Sequence, residues 1–329
     1  MPDTKEPINI LCATDDNYAP YCGIMLTSLL RRNPHRYIDI YVMVDGSLSQ
    51  VNSWKYKKLE REYDCHVNLI TIDDGLIDGC PINKVLGIDN HSWVTAPTYY
   101  RLLAAKLLPE TVHRVIYLDC DIIVNGDINP LWEVNVDGSA IAGVLDCDYL
   151  HHCERLNIPQ QCGYINAGVA VYNLDYWREY GITELFFRYM QTHGSELLLM
   201  DQDVVNGTLN GKKTLVPEGY NFQVSFFMPL FWKTFSDDYR QKLLAENQKA
   251  IIIHYCGGFK PWDFRYYGSP YYALWEKYRK SSYWRGSHIT QPRMKYVRFL
   301  VKRSFASKQL KELKRQPWVF LPENGFCFK

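Results

Sequence analysis

Residues 114–132 read R-V-I-Y-L-D-C-D-I-I-V-N-G-D-I-N-P-L-W, and the placing of this stretch decides the fold. Val115 to Leu118 form a short apolar, β-prone run, the signature of a strand in a sheet covered on both faces. Asp119 and Asp121 follow at once, and Ile122, Ile123 and Val124 resume the apolar run. Carboxylates beside a core are costly unless a cation or hydrogen bonds compensate them. In an extended segment residues i and i+2 point to one side, so both carboxylates reach one hard divalent ion that keeps open positions for phosphate oxygens. The alternative is a pair of carboxylates capping a strand end in water. The triplet alone does not decide. With 22 Asp, roughly one or two D-x-D triplets are expected from composition, and the chain has three, at 119/121, 146/148 and 201/203. Only the first lies between two apolar β runs.

Working outward, I-N-I-L-C-A-T (8–14) reads as a first buried strand ending in Asp15-Asp16-Asn17-Tyr18, before a helix from Ile24 to Arg32. Polar residues at the carboxyl end of strand one mark the place where open α/β sheets bind ligands. Neither G-x-G-x-x-G nor G-x-x-x-x-G-K-[ST] occurs there, which argues against the dinucleotide and Walker modes of holding phosphate. Ile38–Val44 is strand two. Ser47 and Gln50 form a capping box for a helix with Leu48, Val51, Tyr56, Leu59 and Tyr63 on one face, and 67–72 is strand three. This β-α-β-α-β order predicts a parallel sheet.

Residues 73–97 read as a long functional loop, then a helix spans about 98–108, with Arg101 on a face that is either solvated or directed at a ligand. Strands are predicted at 139–145 and 169–172, the second preceded by G-Y-I-N-A-G (163–168), whose Asn and Gly leave room for a ligand. A helix covers 175–191. Asp203 reads as an ordinary first-turn cap of the helix opened by M-D-Q-D (200–203). The last clear strand, A-I-I-I-H (250–254), runs into Y-C-G-G-F-K-P-W, a bare-backbone turn with Lys260 above it, suited to an anion.

Composition bounds the rest. At 329 residues, 47% hydrophobic, the chain fits one large α/β domain (1–278) and a tail (279–329). Residues 1–278 hold 24 Lys+Arg against 34 Asp+Glu, whereas 279–315 hold 12 against one. None of the ten cysteines forms a C-x-x-C pair, no apolar run approaches a membrane span, and the N-terminus lacks signal-peptide character, so a cytoplasmic chain is expected. In the tail, Met294, Val297, Leu300, Val301 and Phe305 recur at helical spacing among basic residues, with Tyr283 and Trp284 upstream. That pattern predicts a basic helix, either lying on an anionic membrane face or packing back on the acidic body. Nucleic acid is not an expected partner, since the acidic body repels phosphate.

Taken in order, A-T-D-D-N-Y (13–18), T-Y-Y-R (98–101), Y-L-D-C-D (117–121), L-W-E (131–133), I-N-A-G-V (165–169), D-Q-D-V-V-N-G (201–207) and H-Y-C-G-G-F-K-P-W (254–262) resemble the retaining glycosyltransferases of family 8. The likeness is greatest to bacterial lipopolysaccharide galactosyl- and glucosyltransferases, with the glycogenins more distant. The resemblance implies a GT-A fold, a mostly parallel sheet flanked by helices, and a UDP-glucose or UDP-galactose donor. By position it makes Asp119, Asp121 and His254 metal ligands, a set that suits Mn²⁺, with Mg²⁺ second. It assigns Ala13, Asp15, Asn17 and Tyr18 to uracil and ribose, Gly257 and Lys260 to the diphosphate, and Arg101, Asn166, Asp201 and Gln202 to the donor sugar. Cys120 and Ala167 lie within the matching motifs, and Asp146 borders the acceptor, a glycan or lipid-linked oligosaccharide. Thr14 stands where a smaller residue is expected. Retention is inherited from the same resemblance. Double displacement needs a carboxylate below the anomeric carbon, and the matching residue is Gln202, a poor nucleophile; Asp201 and Asp146 complete the catalytic set that the resemblance implies. Same-face attack by the acceptor hydroxyl, helped by the leaving phosphate, is therefore expected. Two rivals remain: a sugar-nucleotide pyrophosphorylase, which needs a Gly-rich basic loop that residues 14–20 lack, and a non-catalytic glycan-binding protein on the same fold, which would have eroded its charged site.

Overall fold

The computed structural model describes residues 6–78, 96–257, 260–262 and 269–287. Strands β1 (Ile8–Thr14), β2 (Ile38–Val44), β3 (Cys65–Thr71), β4 (Arg114–Leu118), β5 (Ile122–Val124), β6 (Ile141–Leu145), β7 (Ile165–Asn173), β8 (Lys213–Leu215), β9 (Phe222–Gln223) and β10 (Ile252–His254) form two sheets. The larger has the order β3-β2-β1-β4-β7-β6-β8, and the smaller β5-β10-β9. The expected parallel start is present: β1 pairs in parallel with both β2 and β4, and β2 with β3. Beyond β4 the sheet is mixed, because β7 runs antiparallel to β4 and β6.

Strand alternation builds both cores. Ile8, Ile10 and Cys12 of β1 face one apolar cluster with Ile116 and Leu118, while Leu11 and Ala13 face another with Val115 and Tyr117. The helix Ala19–Arg32 lies in the first cluster and is buried nearly all round over its first three turns. It starts five residues earlier than predicted, with Pro20 in its first turn, and Asn33 Nδ2 caps Leu29 O at 2.8 Å. Because the chain returns from β3 to the far side of β1, the order reverses between β1 and β4. Open α/β sheets bind ligands at the carboxyl ends of such a strand pair.

Several sequence expectations are corrected. The cap of the helix Gln50–Glu62 is Ser49, whose Oγ accepts Asn52 N, whereas Ser47 donates to Asp45. Val51 is 62% exposed, and Asn52 takes the inward position. The helix expected over 98–108 is three short pieces, Pro97–Tyr100, Arg101–Leu103 and Ala104–Leu107. That expected over 175–191 breaks at Gly181, whose φ of 58° ends Leu174–Glu179 and opens Ile182–His193. Asp119–Asp121 is not extended either: the chain turns there, leaving the large sheet after β4 and entering the small one at β5.

The division proposed at 278 falls inside the helix Pro270–Ser281. Trp284 is not interfacial. It is 1% exposed, stands over Gly23 beside Tyr56, and donates Nε1–H to Asn52 Oδ1 at 2.8 Å. An aromatic ring with a partner for its N–H is a core residue. The basic helix expected over 292–315, and most of the 73–97 loop, lie outside the described residues. No helix among the described residues is long and apolar enough to cross a membrane.

Candidate active site and metal centre

A cavity of about 660 Å³ opens at the carboxyl ends of β1 and β4. Of the residues singled out from sequence, Ala13, Asp15, Tyr18, Arg101, Asp119, Cys120, Asp121, Asp146, Asn166, Ala167, Asp201, Gln202, His254, Gly257 and Lys260 line it. Asn17 does not: it is exposed on the turn after β1 and is absent from the cavity wall.

Three strand ends meet in the centre. Asp119 N donates to Gly168 O of β7 at 2.8 Å, and Tyr255 N, just after β10, donates to Asp121 O at 2.9 Å. The antiparallel β10–β5 register sets His254 opposite Ile122, the neighbour of Asp121. One oxygen each from Asp119 and Asp121 and one nitrogen of His254 consequently lie within 4.8 Å of one another. His254 Nε2 is 3.4 Å from Asp121 Oδ1, and its Nδ1 is 2.9 Å from Asn221 Oδ1. An amide oxygen can only accept, so Nδ1 carries the proton and Nε2 keeps its lone pair toward the carboxylates. Glycine at 168 makes this approach possible, since a Cβ there would lie 2.4 Å from His254 Cε1 and 2.5 Å from Asp119 Oδ2. Two carboxylates and an imidazole with a bare, oriented nitrogen fit a divalent transition metal.

Charge compensation is local. Burial alone would raise the Asp121 pKa, yet the Lys260 ammonium holds it well below the ordinary carboxylate range. Lys260 Nζ is in direct contact with Asp121 Oδ2, a partner unforeseen from sequence. Arg101, 6% exposed, settles its ambiguity by facing inward. Its Nη2 reaches Asp119 Oδ1 at 2.7 Å, its Nε Asp201 Oδ2 at 2.9 Å, and its Nη1 Ala167 O at 2.9 Å. Its guanidinium also sits 4.1 Å from the Tyr117 ring centroid. Burial pushes Asp201 up to about 7, with Arg101 opposing.

A second set of polar groups runs across the floor. Gln202 Nε2 and Asn166 Nδ2 both donate to Asp146 Oδ2, at 3.2 and 3.1 Å, and Gln202 Oε1 accepts Ala167 N at 3.0 Å. Asn221 Nδ2 donates to Asn166 Oδ1 at 3.0 Å, joining His254 to Asp146 through side chains alone. Asp203 stays outside this set: fully buried, it takes Arg155, Tyr164 and the backbone N–H groups of Leu198 and Leu199. Tyr18 packs edge-on against Tyr21 and Trp262, which stack on each other at 3.6 Å.

Sequence reading missed Asn221 and Gln223. Gln223, wholly buried, bonds Leu145 O and Cys147 N at 2.8 and 3.1 Å and so pins the turn that carries Asp146. The one available signal was polar residues in N-F-Q-V within an apolar run.

An open α/β sheet with a crevice at its switch point, walled by a D-x-D turn and a histidine, is the architecture of the GT-A glycosyltransferases. Comparison with known proteins narrows this. Residues 9–265 match the pattern of glycosyl transferase family 8, and the chain belongs to that family and is a hexosyltransferase. It is 30% identical to a lipopolysaccharide 1,2-glucosyltransferase of Escherichia coli over 79% of this chain and 74% of that protein. It is 28% identical to general stress protein A of Bacillus subtilis over 78% and 88%. Likeness to a lipopolysaccharide 1,3-galactosyltransferase of Salmonella typhimurium is 26%, over 78% and 73%. Among solved structures, the galactosyltransferase LgtC, crystallised with donor and acceptor sugar analogues, superposes with a TM-score of 0.71. It is 23% identical over 85% of this chain and 99% of that one, which supports the fold.

Proposed function

We propose that the chain is a metal-dependent retaining transferase that moves glucose or galactose from a UDP-sugar to a hydroxyl of a glycan or lipopolysaccharide-type acceptor. The observation that carries this reading is the convergence of Asp119, Asp121 and His254 at the switch-point cavity, with His254 Nε2 left bare by Asn221. When bound, a divalent ion, Mn²⁺ before Mg²⁺, would supply Lewis-acid stabilisation of the diphosphate as charge develops on it. Lys260, held at the cavity by Asp121, adds a fixed cation on the same side. Ala13, Asp15 and Tyr18 line the end suited to uracil and ribose, with Tyr18 as the aromatic wall. Arg101 orients Asp201, and Asp146 with Asn166 orients Gln202, toward the space left for the donor sugar.

Both ends of the Gln202 amide are engaged, and an amide oxygen already accepting a backbone N–H is a poor nucleophile. That favours same-face attack by the acceptor hydroxyl. The acceptor class comes from the lipopolysaccharide transferases among the relatives. The basic run from Arg293 to Arg315 would hold the enzyme beside lipid-linked acceptors at the inner face of an anionic membrane. No nucleic acid partner is proposed. The test is release of sugar from a panel of UDP-sugars with Mn²⁺, Mg²⁺ or EDTA. One hexose should be released fastest, with Mn²⁺, and not in EDTA. Full activity after EDTA dialysis overturns the metal reading, and inertness toward every UDP-sugar overturns the donor.

A further inference from the structure

One face of the folded body gathers an excess of basic over acidic side chains. Residues 1–278 have ten more acidic than basic side chains, yet Gln50–Glu62 carries Lys55, Lys57, Lys58 and Arg61 against two Glu. Residues 277–285 carry Lys277, Arg279, Lys280 and Arg285 and no carboxylate. These two segments lie against each other with the basic end of the helix Ala19–Arg32, where Arg31 Nη2 donates to Ser281 O at 3.4 Å and Arg31 Nε to Tyr63 Oη at 3.1 Å. Electrostatics does not assemble them. Trp284 does, by burying its ring over Gly23 and bonding Asn52. Apolar docking therefore brings like charges together, an arrangement that opposes folding unless an outside anion offsets it.

Part of this charge stays uncompensated. Lys57 pairs with Glu60, and Arg279 and Lys280 share Glu276. Among the described residues, Lys55, Lys58, Arg61 and Arg285 have no carboxylate partner within ion-pair distance. Lys58 Nζ instead sits over the Trp54 and Tyr283 rings, at 4.0 and 4.9 Å, which seats the ammonium without neutralising it. Val51 and Trp54, 62% and 53% exposed, precede Lys55 and Lys58 at the i, i+3, i+4, i+7 spacing of one helix face. Single exposed apolar residues are ordinary, but a tryptophan and a valine interleaved with unpaired lysines form an interfacial face. A soluble polyanion would have no use for the apolar pair, whereas a lipid surface takes both.

Position agrees with charge. The helix Gln50–Glu62 begins beside the turn after β1, where Asp16 Oδ1 accepts Ser49 N at 2.8 Å and Asn52 Nδ2 at 2.7 Å. The same turn carries Asp15 and Tyr18 of the cavity wall. The chain continuing past Ser287, outside the described residues, is itself basic in sequence from Arg293 to Arg315.

We propose that this face, centred on Val51, Trp54, Lys55, Lys58 and Arg285, docks on an anionic lipid surface. It shares with the proposed function the premise of work at a membrane, but assigns the contact to the folded body as well as to the tail. The experiment is co-sedimentation of the full chain with phosphatidylcholine vesicles, with and without phosphatidylglycerol. Three full-length forms are compared: unaltered, Lys55→Glu with Lys58→Glu, and Lys302→Glu with Arg303→Glu. Melting temperature and UDP-sugar hydrolysis confirm that each is folded, and neither Lys55 nor Lys58 lines the cavity. The unaltered chain should pellet with anionic vesicles alone. The helix pair should lower its partition by at least roughly 30-fold, about 1 kcal/mol for each of the two basic residues lost, with repulsion of the two new carboxylates adding to it. If the helix pair pellets like the unaltered chain while the tail pair does not, the tail alone binds: this inference fails and the tail reading stands. Absence of vesicle binding by the unaltered chain, or equal binding to neutral vesicles, overturns both.

Discussion

Gly168→Ala tests the centre most directly. The Gly168 backbone does not need the left-handed region, so alanine is opposed by contact alone. Its Cβ would lie 2.4 Å from His254 Cε1 and 2.5 Å from Asp119 Oδ2. Unstrained carbon contacts are about 3.5–4.0 Å, so the ring and the carboxylate must each retreat by about 1 Å. Neither moves freely, because Asn221 holds His254 and Arg101 with Tyr117 holds Asp119. Overpacking of this kind typically costs about 1–3 kcal/mol. Metal–ligand distances tolerate only about 0.2 Å, so a shift of about 1 Å in two of the three proposed ligands is far outside the range. Mn²⁺ affinity should fall by at least the roughly 10–100-fold seen when a ligand's supporting partner is lost. The assay is a titration of free Mn²⁺ by electron paramagnetic resonance, with melting curves in EDTA and in Mn²⁺. Unaltered Mn²⁺ affinity in a variant that also melts at the original temperature would refute the close packing of Gly168, His254 and Asp119.

Asn221→Leu leaves the His254 Nδ1 proton without its acceptor, so Mn²⁺ affinity should drop roughly 10–100-fold while Gln202→Asn, farther along the same chain of bonds, lowers turnover and spares metal binding. The two readouts are the Mn²⁺ titration and UDP-sugar hydrolysis at saturating metal. Asp121→Asn should abolish transfer and, contrary to expectation from its unchanged volume, also destabilise the protein, because Lys260 loses the partner that keeps it charged in a buried place. A lower melting temperature in EDTA checks this. Lys213 is pushed down to about 8 by burial, so between about 8 and its ordinary 10.5 the unfolded chain binds the extra proton. Its contribution to stability therefore rises with pH across that window, and the urea-midpoint difference between the protein and Lys213→Met should change in the same window and level off above it.

The strands of the first half were legible because their residues do one thing. I-D-I-Y-V-M-V at 38–44 is apolar on both faces except at Asp39, and β2 has those bounds. Helices failed where a single residue outweighed the pattern. Gly181 in the left-handed region cuts one helix in two, and at Gln50–Glu62 the inward position went to Asn52, which the Trp284 indole holds there from 232 residues away. No local signal carries that information. The site was legible where charged residues stood in apolar company, as at Asp119, Asp121 and His254. It was illegible where neutral amides serve, since Asn221 and Gln223 look in sequence like any loop residues until β9 brings them beside β10. The carboxylates converge for a reason different from the one expected: a turn between two sheets aims them, where strand alternation was predicted to.

The position of Trp284 also orders events in time. The slot over Gly23 belongs to the first helix made, but the ring that fills it is made 232 residues after Asn52, its hydrogen-bond partner. At roughly 5–20 residues per second, synthesis leaves that slot open for roughly 10–50 seconds. Throughout that interval the indole that covers Gly23 in the folded chain has not yet been made. Completion of the amino-terminal core is thereby tied to the arrival of nearly the last described residue, so a message truncated before codon 284 yields a protein with every site residue present and its first helix never sealed.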